Sequence, residues 1–287
     1  MVTNLACSTA CFHQTSIDVA LQEIRLAGFQ AIDMNVIPGL CDHFDATQQS
    51  GSERQDFITL VRNSRLLVPT VTAALCDFNF PSDNFEFIIQ SALVHLKLAA
   101  QLACNALNVT CGISAHDRRQ FLDQACIQAK GLKPIAQEAR CLGLQLNVLA
   151  PHSEGPFSYL EDARLLVENI DEQNVRLILD VEQVQSLNIS PVDALRGLVG
   201  YIGHVRLSNS WANSLGEFFE ELNRTGYDGY CTLEMETAQG ITEARERLQQ
   251  VFLLGRSAKP VGVPAHCCSS EIGPSGTLRN KPCGQNR

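Results

Sequence analysis

Apolar residues along the chain fall in short runs, each followed by a longer stretch with helical spacing. "NLACS" (4–8) precedes a helical pattern from Ser16 to Ala27, with Ser16 placed to cap its start and Gly28 to stop it. "QAIDMNV" (30–36) precedes a helix around 53–65, and "LLVPTVTAAL" (66–75) precedes one from Asn84 to Cys104. "ALNVTCG" (106–112) leads to a helix over 116–142, and "LQLNVLA" (144–150) to one near 158–169. "VRLILD" (175–180) leads to a helix near 190–199, and "IGHVRL" (202–207) to one near 214–225. "YCTLEME" (230–236) and a closing helix at 240–254 complete the series.

The runs are near-continuous in apolar residues, the pattern of parallel strands covered on both faces. Eight strand–helix units in residues 1–255 predict a single-domain (β/α)8 TIM barrel. An open doubly wound sheet is the alternative, but no Gly-x-Gly-x-x-Gly follows any strand. Beyond Gly255 the periodicity stops. Residues 256–287, rich in Gly, Pro, Ser and Cys, are expected to form a disordered tail.

The formal net charge of −9 argues against a nucleic-acid partner, which needs clustered Lys and Arg. No run of 18 apolar residues is present, so no spanning helix is expected. The opening "MVTNLACSTACF" lacks the basic and long apolar regions of a signal peptide, so a cytoplasmic location is expected. Of the 12 cysteines, nine lie scattered through apolar segments without a Cys-x-x-Cys pair, and are read as reduced, small hydrophobes. His266, Cys267, Cys268 and Cys283 offer metal-ligating atoms in the tail, but without the paired spacing of a zinc knuckle.

In a barrel the chemistry sits at the C-terminal ends of the strands. Those ends carry Asp33, then Asp77 and Asn79, then Ala150, Pro151 and His152. Next come Asp180 with Glu182 and Gln183, Arg206 with Ser208 and Asn209, and Glu234 with Glu236. Asp180, Arg206 and Glu234 end three successive strands, so their side chains are expected to converge at the barrel mouth. Each also has a plainer structural role open to it. Asp180 suits a helix N-cap, Glu234 or Glu236 a solvated rim, and Arg206 a salt bridge in the helix layer.

Several segments, in this order and on these strands, resemble the xylose-isomerase-like TIM barrels. They are "LACSTACF", "AGFQAIDM" (27–34), "LILDVEQVQ" (177–185), "IGHVRLSN" (202–209) and above all "GYDGYCTLEME" (226–236). That superfamily holds sugar and sugar-phosphate isomerases and epimerases together with endonuclease IV-type enzymes. The resemblance runs over residues 3–254.

It implies a divalent ion such as Mn, Mg or Co, held by a Glu, an Asp, a His and a second Glu at the ends of strands five to eight. The two Glu exchange a substrate proton from opposite faces. Here Asp180 matches the Asp and Glu234 the second Glu. The first Glu falls on Ala150, or on Leu149 if the strand shifts by one, while His152 is kept. The His three residues after the Asp is Gln183. The family's His-x-His-x-x-Asp becomes His204, Arg206 and Asn209. The metal site is thus degenerate, and no cofactor is expected.

Arg206, whose guanidinium pairs well with carboxylates, is expected where the ion would lie, between Asp180 and Glu234. The implied function is a metal-free barrel of the sugar isomerase/epimerase kind, either a pseudoenzyme or of altered activity. The alternative is an active isomerase or epimerase on a small sugar, sugar phosphate or sugar acid. Glu234 would then be its base, with Arg206 or His152 as electrophile or anion grip. Asp180, Gln183, His204 and Asn209 are the expected ligand contacts. The endonuclease branch conflicts with the acidic charge. A small carbohydrate-like ligand and a homodimer are the expected partners, with no membrane.

Overall fold

The computed structural model of the chain describes residues 4–75, 85–110, 118–149, 159–208 and 215–255. Eight parallel strands close into a barrel in sequence order. They are β1 (Leu5–Ser8), β2 (Ala31–Asn35), β3 (Leu67–Ala74), β4 (Ala106–Thr110), β5 (Gln145–Leu149), β6 (Val175–Asp180), β7 (Ile202–Leu207) and β8 (Cys231–Leu233). Around them run α1 (Ile17–Leu26), α2 (Gly51–Asn63), α3 (Phe85–Gln101), α4 (Arg118–Cys141) and α5 (Tyr159–Ile170). Then follow α6 (Val181–Ser186), α7 (Pro191–Gly197), α8 (Leu215–Arg224) and α9 (Ile241–Gly255). The expected barrel is the observed one. Among the described residues no helix is long and apolar enough to cross a membrane.

Local chemistry explains where the helices begin. Ser50 and Glu53 form a reciprocal capping box at the start of α2. Asp180 caps α6, accepting the Gln183 backbone N–H at 3.0 Å. The connection from β6 to β7 therefore holds two short helices, where the spacing had predicted one near 190–199. The C-terminal tail, with its cysteines, lies outside the described residues, as do Cys76 and Cys111. The other cysteines form no disulfide. Cys7, Cys11, Cys41, Cys104 and Cys231 are buried thiols, whereas Cys126 and Cys141 are exposed.

One expectation needs correcting. The strands are apolar only on their outer face. Side chains alternate along a strand, and Ile32, Met34, Val71, Val109, Val205 and Leu233 join the core beneath the helices. The alternate positions face the barrel interior and are largely polar: Ser8, Asp33, Asn35, Thr70, Thr72, Asn108, Asn147, His204 and Thr232, each 4% exposed or less. A barrel interior is more often filled with branched apolar residues.

At the floor, Gln145 and Asn147 are hydrogen-bonded to each other at 2.7 Å and reach toward Gly203 on β7. The β6–β7 register shifts beside Gly203, between Leu177 and Ile178. A Cβ at Gly203 would collide with the Gln145 and Asn147 side chains and lie 2.6 Å from Arg176 Cβ. Replacing Gly203 by Ala is therefore expected to destabilise the barrel by about 1–3 kcal/mol, read as a lower urea midpoint at unchanged slope.

Candidate functional site

Parallel register places three charged residues side by side. Asp180 at the end of β6 pairs in register with Arg206 on β7, and Arg206 with Thr232 on β8, two residues before Glu234. The Arg206 guanidinium lies between the two acids. Its Nη1 is 3.6 Å from Asp180 Oδ2 and 3.5 Å from Glu234 Oε1, and the three side chains are 14%, 17% and 28% exposed. Burial alone would lower the Arg206 pKa, but Glu234, Asp180 and Asp33 outweigh it, and the pKa is raised. Asp180 serves two purposes, capping α6 with one oxygen and facing Arg206 with the other.

Glu234 is also held from β1. Ser8 Oγ donates to Glu234 Oε2 at 3.1 Å, while it accepts from Asn35 Nδ2 at 2.8 Å and from the Ala10 backbone at 3.2 Å. With both acceptor positions of the hydroxyl filled, its one proton has Glu234 as its destination.

Below this lies Asp33, 1% exposed. It accepts from Thr70 at 2.7 Å, from Thr72 at 2.8 Å and from Asn35 at 3.4 Å. Burial raises its pKa to about 6, against the opposing effect of the two threonine hydroxyls, with Glu234 raising it further and Arg206 lowering it. Thr72 accepts from Asn108 at 3.1 Å, and Asn108 from Asn147 at 2.8 Å. Polar contacts thus run around the barrel through seven strands and Glu234 just beyond β8, from Gln145 on β5 by way of β1 to Asp180 on β6.

Two inward groups stand outside that network. His204, 1% exposed, has no hydrogen-bond partner on either ring nitrogen, and Thr232 Oγ1 likewise has none. Burial, and then the Arg206 charge, lowers the His204 pKa to about 3, so the ring is neutral.

Above the triad opens a cavity of about 900 Å³, lined among the described residues by Ala10, His13, Glu182, Ser208, Glu234 and Glu236 with their neighbours. That volume suits a small ligand. The structure brings Asp180, Arg206 and Glu234 together. It places Gln183 in the first turn of α6, and His204 one layer deeper than Arg206. Leu149 ends β5; Ala150, His152, Asn209, Asp77 and Asn79 lie outside the described residues. Ser8, Asn35 and the threonines of β3 were not singled out from the sequence. Their signal was the strict alternation in "AIDMN" and "PTVTA".

A closed (β/α)8 barrel with charged groups gathered at the C-terminal ends of its strands defines the class: a TIM barrel with a polar mouth. The family model for the xylose isomerase-like TIM barrel matches residues 21–252, and the chain belongs to that family. No curated protein matches it in sequence.

Among solved structures, a D-tagatose 3-epimerase-like protein superposes with a TM-score of 0.72 at 14% identity, covering 89% of this chain and 99% of that one. The 3-keto-D-glucoside 4-epimerase of E. coli gives 0.70 at 15% identity, covering 90% and 100%. The IOLI protein with a bound zinc atom gives 0.68 at 13%, covering 87% and 98%. At these identities the likeness carries the fold.

Asp33 makes stability depend on pH. Its folded pKa lies above that of an unfolded Asp, so between about pH 6 and pH 4 the folded chain binds a proton that the unfolded chain does not. Stability from this group therefore rises as pH falls through that window. From pH 7 to pH 5 the wild-type chain is expected to gain roughly 1 kcal/mol relative to Asp33→Asn. Urea unfolding of both chains at the two pH values checks this.

Proposed function

We propose that this chain is a metal-independent member of its family, a carbohydrate-binding barrel in which Arg206 takes the place of a divalent ion. The observation that carries the reading is the guanidinium lying between Asp180 and Glu234. The residues present do not fit an ion there. Two carboxylates are a sparse donor set for a hard cation, and a fixed positive charge already faces both. Among the described residues, no group of three or more His, Cys, Asp or Glu side chains is arranged to hold a metal.

The same contacts bear on catalysis. Glu234 faces the Arg206 guanidinium and accepts a hydrogen bond from Ser8, so both of its oxygens already have partners. Ala150 at the position expected of the other carboxylate removes the second proton-exchanging group. Binding without two-base proton exchange is the activity this arrangement supports. The epimerases among the structural neighbours agree with a small carbohydrate as ligand. The unpaired buried thiols agree with a cytoplasmic setting.

One observation favours a second reading. Glu234 lines the cavity, and a single base can move a proton between neighbouring carbons on one face. Arg206 or His152 would then polarise the carbonyl, and Gln183, His204 and Asn209 would support the ligand. Incubation with a ketose in D2O separates the two readings. The binding reading expects no deuterium to enter the sugar, whereas wash-in that Glu234→Gln abolishes would establish the one-base isomerase.

Elemental analysis and melting curves test the metal-free claim, on a chain ending at Gly255 beside the full chain. The expected result is no stoichiometric metal and no shift with millimolar Mn²⁺, Mg²⁺ or Co²⁺. A bound ion, or a melting temperature that climbs with added metal, would return the protein to the metal-dependent enzymes.

A further inference from the structure

Arg206 is the cation that a phosphorylated or acidic sugar would be expected to seek at the barrel mouth, and its surroundings bear directly on which ligands can enter. We propose that Arg206 is already neutralised by Asp180 and Glu234, so that the mouth rejects anionic sugars and takes an uncharged polyhydroxy ligand. The inference rests on the mouth being a carbohydrate site, and it names the charge class of what binds there.

Two observations support it. The guanidinium faces two carboxylates from one nitrogen, at 3.6 and 3.5 Å, with the Asp33 carboxylate among the acids acting on it from below. The described lining of the cavity holds Glu182, Glu234 and Glu236 and no Lys or Arg.

An entering phosphate would therefore have to displace a carboxylate from Arg206 and sit among several more of its own sign. A hydroxyl group meets no such repulsion. The carboxylate oxygens that line the cavity accept from it.

Inorganic phosphate is the probe, titrated at constant ionic strength with EDTA present and followed by melting temperature and calorimetry. The wild-type chain is expected to show no more shift than chloride produces. Asp180→Asn keeps a capping side chain on α6, and Glu234→Gln keeps the shape of the site. Together they release Arg206 and are expected to tighten phosphate binding by about tenfold or more, as a newly available charge-assisted contact would. Adding Arg206→Gln should abolish that gain. If the double variant does not fold, each single variant should show a smaller gain of the same sign.

Phosphate binding to the wild-type chain that Arg206→Gln removes would overturn the proposal, because Arg206 would then be a working anion grip. So would released variants that gain no phosphate affinity, because the carboxylates would not be what bars the anion. D-fructose and D-fructose 6-phosphate, run in parallel, keep the two readings apart. A shift with the free sugar alone supports both. Silence from both sugars counts against the carbohydrate reading and leaves the phosphate result to decide the anion exclusion.

Discussion

Parallel register in a closed barrel leaves little freedom at the ends of adjacent strands. Once β6 ends in Asp180 and the chain leaving β8 carries Glu234, the residue between them on β7 faces two carboxylates in a half-buried mouth. Like charges so placed repel, and a cation between them offsets that repulsion. Here the middle strand supplies that cation, as the fixed guanidinium of Arg206. Asp180 is fixed at this position for a second reason, because its other oxygen caps α6. A substitution at one position thus answers an electrostatic demand that two neighbouring strands create.

The same demand extends down the barrel. A polar interior is stable only if its donors and acceptors are matched. Here the matching has a direction. Gln145 donates to Asn147, Asn147 to Asn108, Asn108 to Thr72, and Thr72 to Asp33. On the other side Asn35 donates both to Asp33 and to Ser8, and Ser8 to Glu234. Every arrow ends on a carboxylate, so the neutral amides and hydroxyls spread the charge of two acids over five strands. His204 and Thr232, on the strands nearest Arg206, are where this arrangement stops.

Much of the fold was readable because strand and helix periods alternate cleanly, and eight repeats leave few topologies. The Asp180–Arg206–Glu234 contact was readable too, since strand ends in a barrel are neighbours by construction. The polar interior was not. Thr70 and Thr72 are β-branched and pass as ordinary strand residues. Asn35, Asn108 and Asn147 each interrupt an apolar run only once or twice, so the runs looked continuous although their inward positions were alternating. Ser8 was hidden for another reason. Its contact to Glu234 joins residues 226 positions apart, and it exists only because closure pairs β1 with β8. The missing second helix after β6 reflects α6 being six residues long, too short for a period to register.

On the proposed reading, a guanidinium in the place of an ion keeps the charge balance but changes what the mouth can offer a ligand. A metal with an open coordination position accepts electron pairs and polarises the oxygen it binds. A guanidinium has no such position; it donates hydrogen bonds in a plane, and here two acids already compete for them. On the proposed reading the exchange would keep the barrel's architecture while withdrawing the group best able to stabilise a developing enediolate. Recognition of hydroxyl groups survives that change better than proton transfer does, because recognition needs matched donors and acceptors at the cavity wall, whereas proton transfer needs a base free of the partners that Glu234 has acquired.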